Sequence, residues 1–246
     1  MSQQVDELCL QLISELASFG IECSQFQAKM LINHLRMVIE KNKEFNLTRI
    51  IDPQEAVTLH IVDSLVPLAS LRISSQARFL DIGTGAGYPG IPIAVLTNSY
   101  GTLLDSVGKK VAAVQEFVNA LNLSKILVAK SRAEDYAKTH VGEFDYVFVR
   151  AVAQSNVLIE YSAPFLKMHG LAVLEKANPS ADELLYAKRA AFICGMSFVT
   201  QESFELPHDL GHREILLFEK IGESQIMLPR SVGMAKKSPL GVDSVL

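Results

Sequence analysis

The stretch Arg78-Phe-Leu-Asp-Ile-Gly-Thr-Gly-Ala-Gly-Tyr-Pro-Gly-Ile-Pro-Ile93 constrains this chain more than any other. A short apolar run leads into Asp81. Glycines follow at Gly83, Gly85, Gly87 and Gly90, and the apolar segment from Ile91 to Leu96 reads as a helix. Strand, glycine turn and helix start form a geometry in which bare backbone and its N–H groups approach a nucleotide-like ligand. Two phases of the motif compete. Gly85-x-Gly87-x-x-Gly90 satisfies the dinucleotide fingerprint. Asp81-x-Gly83-x-Gly85-x-Gly87 instead puts a carboxylate two residues before the first glycine. There it would sit near the cationic methionine moiety of S-adenosylmethionine and would repel a pyrophosphate. The next strand candidate ends in Asp105, about 20 residues on, where a ribose hydroxyl partner is expected in either cofactor.

Composition narrows the class. At 246 residues, 49% hydrophobic and 20% charged, the chain has the profile of a soluble globular protein with one substantial domain. No apolar run is long enough to span a bilayer, and the N-terminus Met1-Ser-Gln-Gln-Val-Asp-Glu is no signal peptide. Cys9, Cys23 and Cys194 form no CxxC motif, which suits reduced thiols in a cytoplasmic protein. No His/Cys cluster has metal-ligand spacing, so no metal is expected. A net charge of −4 argues against a broad basic surface that coats nucleic acid. A local basic patch is compatible with it: from Gln225 onward Arg230, Lys236 and Lys237 face one acid, Asp243.

Periodicity divides the chain. Val5, Leu8, Leu12 and Leu16, then Met30, Leu31, Leu35, Val38 and Ile39, recur at helical spacing. Gly20 separates these two helices, and Ser24 caps the second. Asp52-Pro53 opens a third helix running to Leu71, on which His60, Asp63 and Ser64 share one face. From Arg78 strands alternate with helices. Strands are predicted at 78–82, 101–105, 125–130, 144–149, 170–175, 197–203 and 213–219. Helices are predicted at 90–98, 109–122, 132–138, 155–167 and 180–193. This alternation implies an α/β doubly wound, mostly parallel sheet, with the last two strands an antiparallel pair at one edge. Three regions follow: an N-terminal helical extension packed on the core (1–72), a cofactor-binding core (73–221) and a basic, loop-like C-terminal tail (222–246).

The ordered motifs resemble the glucose-inhibited division protein B family, the small-subunit ribosomal RNA guanine-N7 methyltransferases. The resemblance runs from about Lys41 into the tail. It is carried by Phe45-Asn-Leu-Thr48, His60-x-x-Asp63-Ser64, Asp81 to Pro92, Leu104-Asp-Ser-Val-Gly-Lys-Lys110, Ser131-Arg-Ala-Glu134, Arg150-Ala-Val-Ala153 and Leu174-Glu-Lys176. It implies a class I methyltransferase (Rossmann-like) fold, S-adenosylmethionine as methyl donor, and a guanine of 16S rRNA, in the small subunit, as acceptor. A monomer is expected. The chain departs from the family pattern at Ala86, where Pro is frequent, and at Tyr88, where Leu is frequent. It departs again at Ser231, which replaces a cation in Leu228-Pro-Arg-Ser-Val-Gly233. An NAD-dependent oxidoreductase and a non-catalytic ribosome-assembly factor are the rival readings. The oxidoreductase lacks an evident Tyr-Lys or His-Asp arrangement after the motif.

Guanine N7 carries an in-plane lone pair, so no general base is needed before it attacks the sulfonium methyl. The enzyme must instead align nucleophile, methyl carbon and sulfur. The expected donor site comprises Asp81, Gly83, Gly85, Gly87, Tyr88, Asp105 and Ser106, with Ala133 and Glu134 at the adenine. Arg150, at the carboxyl end of the fourth strand, is the candidate catalytic residue and touches the donor site. The common Arg–guanine fork takes O6 and N7 together. Because N7 must stay free, Arg150 would orient the acceptor through O6 alone or through a flanking phosphate. Asn46, Thr48, His60, Asp63 and Ser64 are expected on an RNA-facing wall. Lys176, Arg213, Arg230, Lys236 and Lys237 are candidate RNA contacts.

Overall fold

Arg78–Ile82 forms β1, a central strand with both faces buried from Phe79 onward, as a parallel strand covered on both sides must be. The computed structural model describes residues 2–150 and 153–242. Ala151 and Val152 of the Arg150–Ala153 motif lie outside the described residues, as does Asp243 of the tail.

The N-terminal region forms α1 (Ser2–Ser18) and α2 (Gln25–Lys41). Ser24 and Gln27 close a capping box at the start of α2, which satisfies two otherwise orphaned backbone donors. Next comes a continuous but irregular helical run. It comprises α3 (Pro53–Ala56), a wide π turn (Val57–Val62), α4 (Asp63–Leu65) and a 3-10 turn (Val66–Ala69). The regular helix expected to Leu71 is therefore corrected. Pro67 offers no N–H to the helical ladder, and the last turn tightens to 3-10.

After β1 come α5 (Gly90–Thr97), β2 (Tyr100–Asp105), α6 (Gly108–Ala120), β3 (Ile126–Lys130), α7 (Ala133–Tyr136), β4 (Phe144–Arg150), α8 (Ser155–Ser162), β5 (Leu166–Lys176), α9 (Ala181–Ile193), β6 (Met196–Glu205), β7 (His212–Lys220) and α10 (Met234–Lys237). Among the described residues the sheet has seven strands in the order β3-β2-β1-β4-β5-β7-β6. β7 runs antiparallel to both β5 and β6, and the other neighbours pair in parallel. Helix α8 is shorter than the 155–167 predicted. Pro164 disfavours a helical residue before it, and Leu166 is already paired with Phe144. Helix α7 is one turn rather than 132–138.

Successive strand residues enter opposite cores, as the pleat requires. Phe79, Phe148 and Val173 pack with α5, α6 and the N-terminal helices, through Ile91, Phe117, Leu31 and Leu12. Leu80, Val147 and Leu174 pack on the other face with α8 and α9, through Leu158 and Ala187. The N-terminal helices thus share a core with one face of the sheet. α2 also grips the end of α5, where Gln27 donates to the Val95 and Leu96 carbonyls.

Candidate functional site

The order reverses between β1 and β4, and a crevice opens at the carboxyl ends of strands flanking such a point. A cleft of about 440 Å3 lies there, walled by the loops after β1, β2 and β3, by Arg150 of β4, and by His60 of the π turn. Its volume falls in the usual range for small-molecule sites. A larger cavity, about 860 Å3, lies at the opposite ends of β2 and β3 and contains none of the expected site residues. We place the chemistry in the smaller cleft because the motif residues converge there.

The loop after β1 is tied to β2. The N–H groups of Gly83 and Thr84 donate to the Leu104 carbonyl at 2.8 and 3.1 Å. Gly85 N–H donates to Asp105 Oδ2 at 3.1 Å, while Val107 N–H donates to Oδ1 at 2.8 Å. Each carboxylate oxygen keeps a second lone pair, so Asp105, itself in the cleft wall, can still accept from ribose hydroxyls. Ser106 lines the cleft beside it. A Cβ at Gly85, at φ +61°, would meet only the Gly83 carbonyl oxygen, in ordinary contact at 3.9 Å.

Asp81 corrects the sequence expectation. It is fully buried beneath the loop and outside the cleft wall, and its Oδ2 accepts the Gly90 N–H at 2.9 Å. Its other oxygen, Oδ1, has no hydrogen-bond partner among the described residues. Burial pushes this carboxyl up to about 7, against the pull of the Gly90 hydrogen bond and the Arg150 charge. Its role is to hold the first N–H of α5. That bond also argues against a dinucleotide, whose pyrophosphate would need the helix start. Gly87 and Gly90 are structural as well. A Cβ at Gly87 would stand 2.6 Å from Ile91 Cδ1, and one at Gly90 2.1 Å from Leu103 Cδ2.

Tyr88 forms the cleft floor. Its ring stacks on His60, with centroids 4.8 Å apart and planes 16° apart, and leans on His34 at 4.7 Å. The Arg150 guanidinium lies 5.6 Å from the same ring centroid. His34, unforeseen from the sequence as part of the site, is fully buried and bonds the Ala86 carbonyl through Nε2 at 2.9 Å. Burial pulls the His34 imidazole down to about 3 and His60 to about 4, the latter aided by the nearby Arg150 charge. Both rings are neutral at pH 7. His60 Nε2 shares a 2.8 Å hydrogen bond with Thr48 Oγ1.

Arg150 is anchored from behind. Its Nη1 donates to Asp63 Oδ2 at 3.1 Å and to the Leu59 carbonyl at 3.4 Å. The other Asp63 oxygen accepts from Arg213 Nε at 2.7 Å. One buried carboxylate therefore serves two guanidiniums. Among the described residues Arg150 Nε and Nη2 meet no protein acceptor, so they remain for a ligand. Glu175 is the register partner of Arg150 on β5. It is buried, both oxygens lack a hydrogen-bond partner, and burial pushes it well above the usual carboxylate range.

Of the expected residues, Thr48, His60, Gly83, Gly85, Tyr88, Asp105, Ser106, Ala133, Glu134, Arg150 and Lys236 line the cleft. Asn46 is exposed outside it. Asp63 and Ser64 lie buried behind it, where Ser64 Oγ donates to the His60 carbonyl. Three expected RNA cations are spent on the protein itself. Lys176 pairs with Glu183 at 2.8 Å and bonds the Ala153 carbonyl, Arg213 holds Asp63, and Arg230 holds Glu160. Lys237 is exposed and outside the cleft wall. The sequence reading missed Thr84, Lys110, Arg132 and Tyr161, which also line the cleft. Lys110 and Arg132 stand inside quoted motifs, so proximity to Asp105 and Glu134 was an available signal. Tyr161 reaches in from α8, with no local pattern to mark it. Among the described residues no cluster of three or more His, Cys, Asp or Glu could hold a metal.

Comparison with known proteins agrees with this geometry. The family profile described as rRNA small subunit methyltransferase G matches residues 27–211. A ribosomal RNA small subunit methyltransferase G of Desulforamulus reducens is 34% identical over 239 residues, covering 96% of this chain and all of that one. Its counterpart in Gloeobacter violaceus is 37% identical, covering 90% of each chain. Among solved structures, precorrin-6y C5,15-methyltransferase of Geobacter metallireducens superposes with TM-score 0.50 at 17% identity, over 73% of this chain and 96% of that one. M. jannaschii TYW2 in complex with AdoMet superposes with TM-score 0.52 at 14% identity, over 72% and 81%. These two likenesses establish the fold, a class I methyltransferase sheet.

Proposed function

Because the chain belongs to the rRNA small subunit methyltransferase G family, we propose that its cleft transfers the methyl group of S-adenosylmethionine to N7 of one guanine in 16S rRNA. The chain is an rRNA methyltransferase, and S-adenosylmethionine is its cofactor. The observation that carries the site assignment is the convergence of the Gly83–Gly85 loop, Asp105 and Arg150 on one cleft.

The residues fit the donor. Asp105 offers lone pairs to ribose hydroxyls, the exposed Gly85 backbone leaves room for the methionine arm, and Glu134 offers a carboxylate at the base. S-adenosylmethionine supplies an electrophilic methyl on a sulfonium. Everything else asked of the protein is alignment, because the N7 lone pair needs no deprotonation. Neutral His60, stacked on Tyr88, gives the cleft a rigid aromatic wall that adds no second cation beside Arg150. Arg150, pinned by Asp63, keeps two N–H-bearing nitrogens for guanine O6 or a phosphate and leaves N7 open. Lys237, exposed and outside the cleft wall, would meet the RNA backbone. Ribosomal RNA as substrate implies a cytoplasmic protein.

The test is methyl transfer from labelled S-adenosylmethionine to small subunits from cells lacking this gene, with the product base identified by mass. N7-methylguanine at one 16S position is the expected outcome. Absence of transfer despite donor binding would favour the assembly-factor reading.

A further inference from the structure

The tail folds back onto the base end of the cleft. Arg230 grips both oxygens of Glu160, a buried carboxylate on α8, and its Nη2 also donates to the Ser238 carbonyl at 2.9 Å. Asn156 Nδ2, also on α8, donates to the Leu240 carbonyl at 2.8 Å. Gly241 passes so close to α9 that a Cβ there would stand 2.3 Å from the Tyr186 carbonyl oxygen. Ala235 of α10 is buried in the core that α8 and α9 share. Between these anchors Gly233 N–H donates to Glu134 Oε1 at 2.9 Å, and Lys236 lines the cleft.

We infer that residues 228–241 are a wall of the donor pocket, in which Gly233 and Lys236 complete the end that takes adenine. The inference rests on the donor reading above. Glu134 is the joint. Gly233 N–H takes one lone pair of its Oε1 and so fixes the carboxylate in one orientation beside the Tyr161 side chain, and the remaining lone pairs can accept from an exocyclic amine. Lys236 supplies an ammonium donor to the same cleft. A carboxylate acceptor with an ammonium donor matches an adenine edge, which pairs an amine donor with a ring-nitrogen acceptor. A 6-oxo purine replaces that amine donor with a carbonyl acceptor and would leave Glu134 facing an oxygen. If the tail helps to bind the donor, the donor must equally help to hold the tail.

The probe is S-adenosylhomocysteine, titrated by calorimetry into the full chain, a chain ending at Met227, and the double variant Arg230→Ala with Glu160→Gln. The double variant loosens the tail without leaving a bare buried carboxylate. Thermal melts establish which variants are folded. Affinity is expected to fall tenfold or more in both variants, and by less for the 6-oxo analogue of the probe. In the full chain the probe is expected to slow trypsin cleavage after Lys236 and Lys237. Folded variants that bind within twofold of the full chain would overturn the inference and leave the donor reading intact. A full chain that binds no probe would overturn both. Should both variants unfold, cleavage decides: protection by the probe supports the inference and an unchanged rate overturns it.

Discussion

Asp63 carries two guanidiniums on one carboxylate, with Arg150 on Oδ2 and Arg213 on Oδ1. Truncating one member of a buried pair leaves an uncompensated charge, which is costlier than the pair is stabilising. Asp63→Ala is therefore expected to lower unfolding stability by about 3 kcal/mol and to free Arg150 from its pinned orientation. Urea unfolding read beside methyl transfer checks both; unchanged midpoints would mean that the guanidiniums find water. Asp81 makes a pH prediction. Its folded value, about 7, lies above an unfolded value of roughly 3.9. Between these values the folded chain holds a proton that the unfolded chain has lost, so this contribution to stability falls as pH rises. His34 and His60, lowered to about 3 and about 4, act the other way and add stability up to roughly pH 6.5. Asp81→Asn should gain stability relative to the parent between roughly pH 4 and 8. A difference that stays constant with pH in urea titrations would contradict this.

At the scale of elements, the strand–loop–helix unit from β1 to α5 divides its glycines between two tasks. Gly90 lets α5 lie against β2, since a Cβ there meets Leu103 Cδ2 at 2.1 Å and Asp81 Oδ2 at 2.7 Å. Gly85 has room for a Cβ, which would touch only the Gly83 carbonyl oxygen at 3.9 Å, and a left-handed φ of +61°. Gly90→Ala should cost about 1–3 kcal/mol by overpacking, whereas Gly85→Ala should cost about 1 kcal/mol from backbone conformation. Gly85→Val should instead block the donor, because its branches fill the cleft. Thermal melts rank the first pair, and calorimetry with the donor tests the third; normal donor affinity in a folded Gly85→Val would remove Gly85 from the site. The sequence marked all these glycines alike, because a motif records where side chains are excluded and not what excludes them.

At the scale of the whole molecule, the chain converges on the cleft from three directions. The carboxyl ends of the strands supply the loops, the N-terminal helical region supplies His60, and the tail supplies Lys236. The expected basic RNA surface is thinner than the sequence suggested, because Lys176, Arg213 and Arg230 are paired internally. Lys237 is exposed. Lys237→Ala should reduce the slope of log affinity for 16S rRNA against log salt by about 1 and leave donor affinity unchanged. An identical slope in binding titrations would take Lys237 off the RNA path.

Sequence by itself determined the alternation of strands and helices, the antiparallel edge pair, and the glycine loop that lines the cleft. These features are written locally, in apolar periodicity and in runs of residues without side chains. Tertiary structure alone decided which charges are available. Arg230 and Lys237 read alike along the chain, yet only folding brings Glu160 under the first. Asp81 and Asp105 both lie in the last residues of strands, yet the close approach of α5 buries the first and leaves the second in the cleft wall. A charge's role depends on its desolvation and its partner, and both are set by residues far away in sequence.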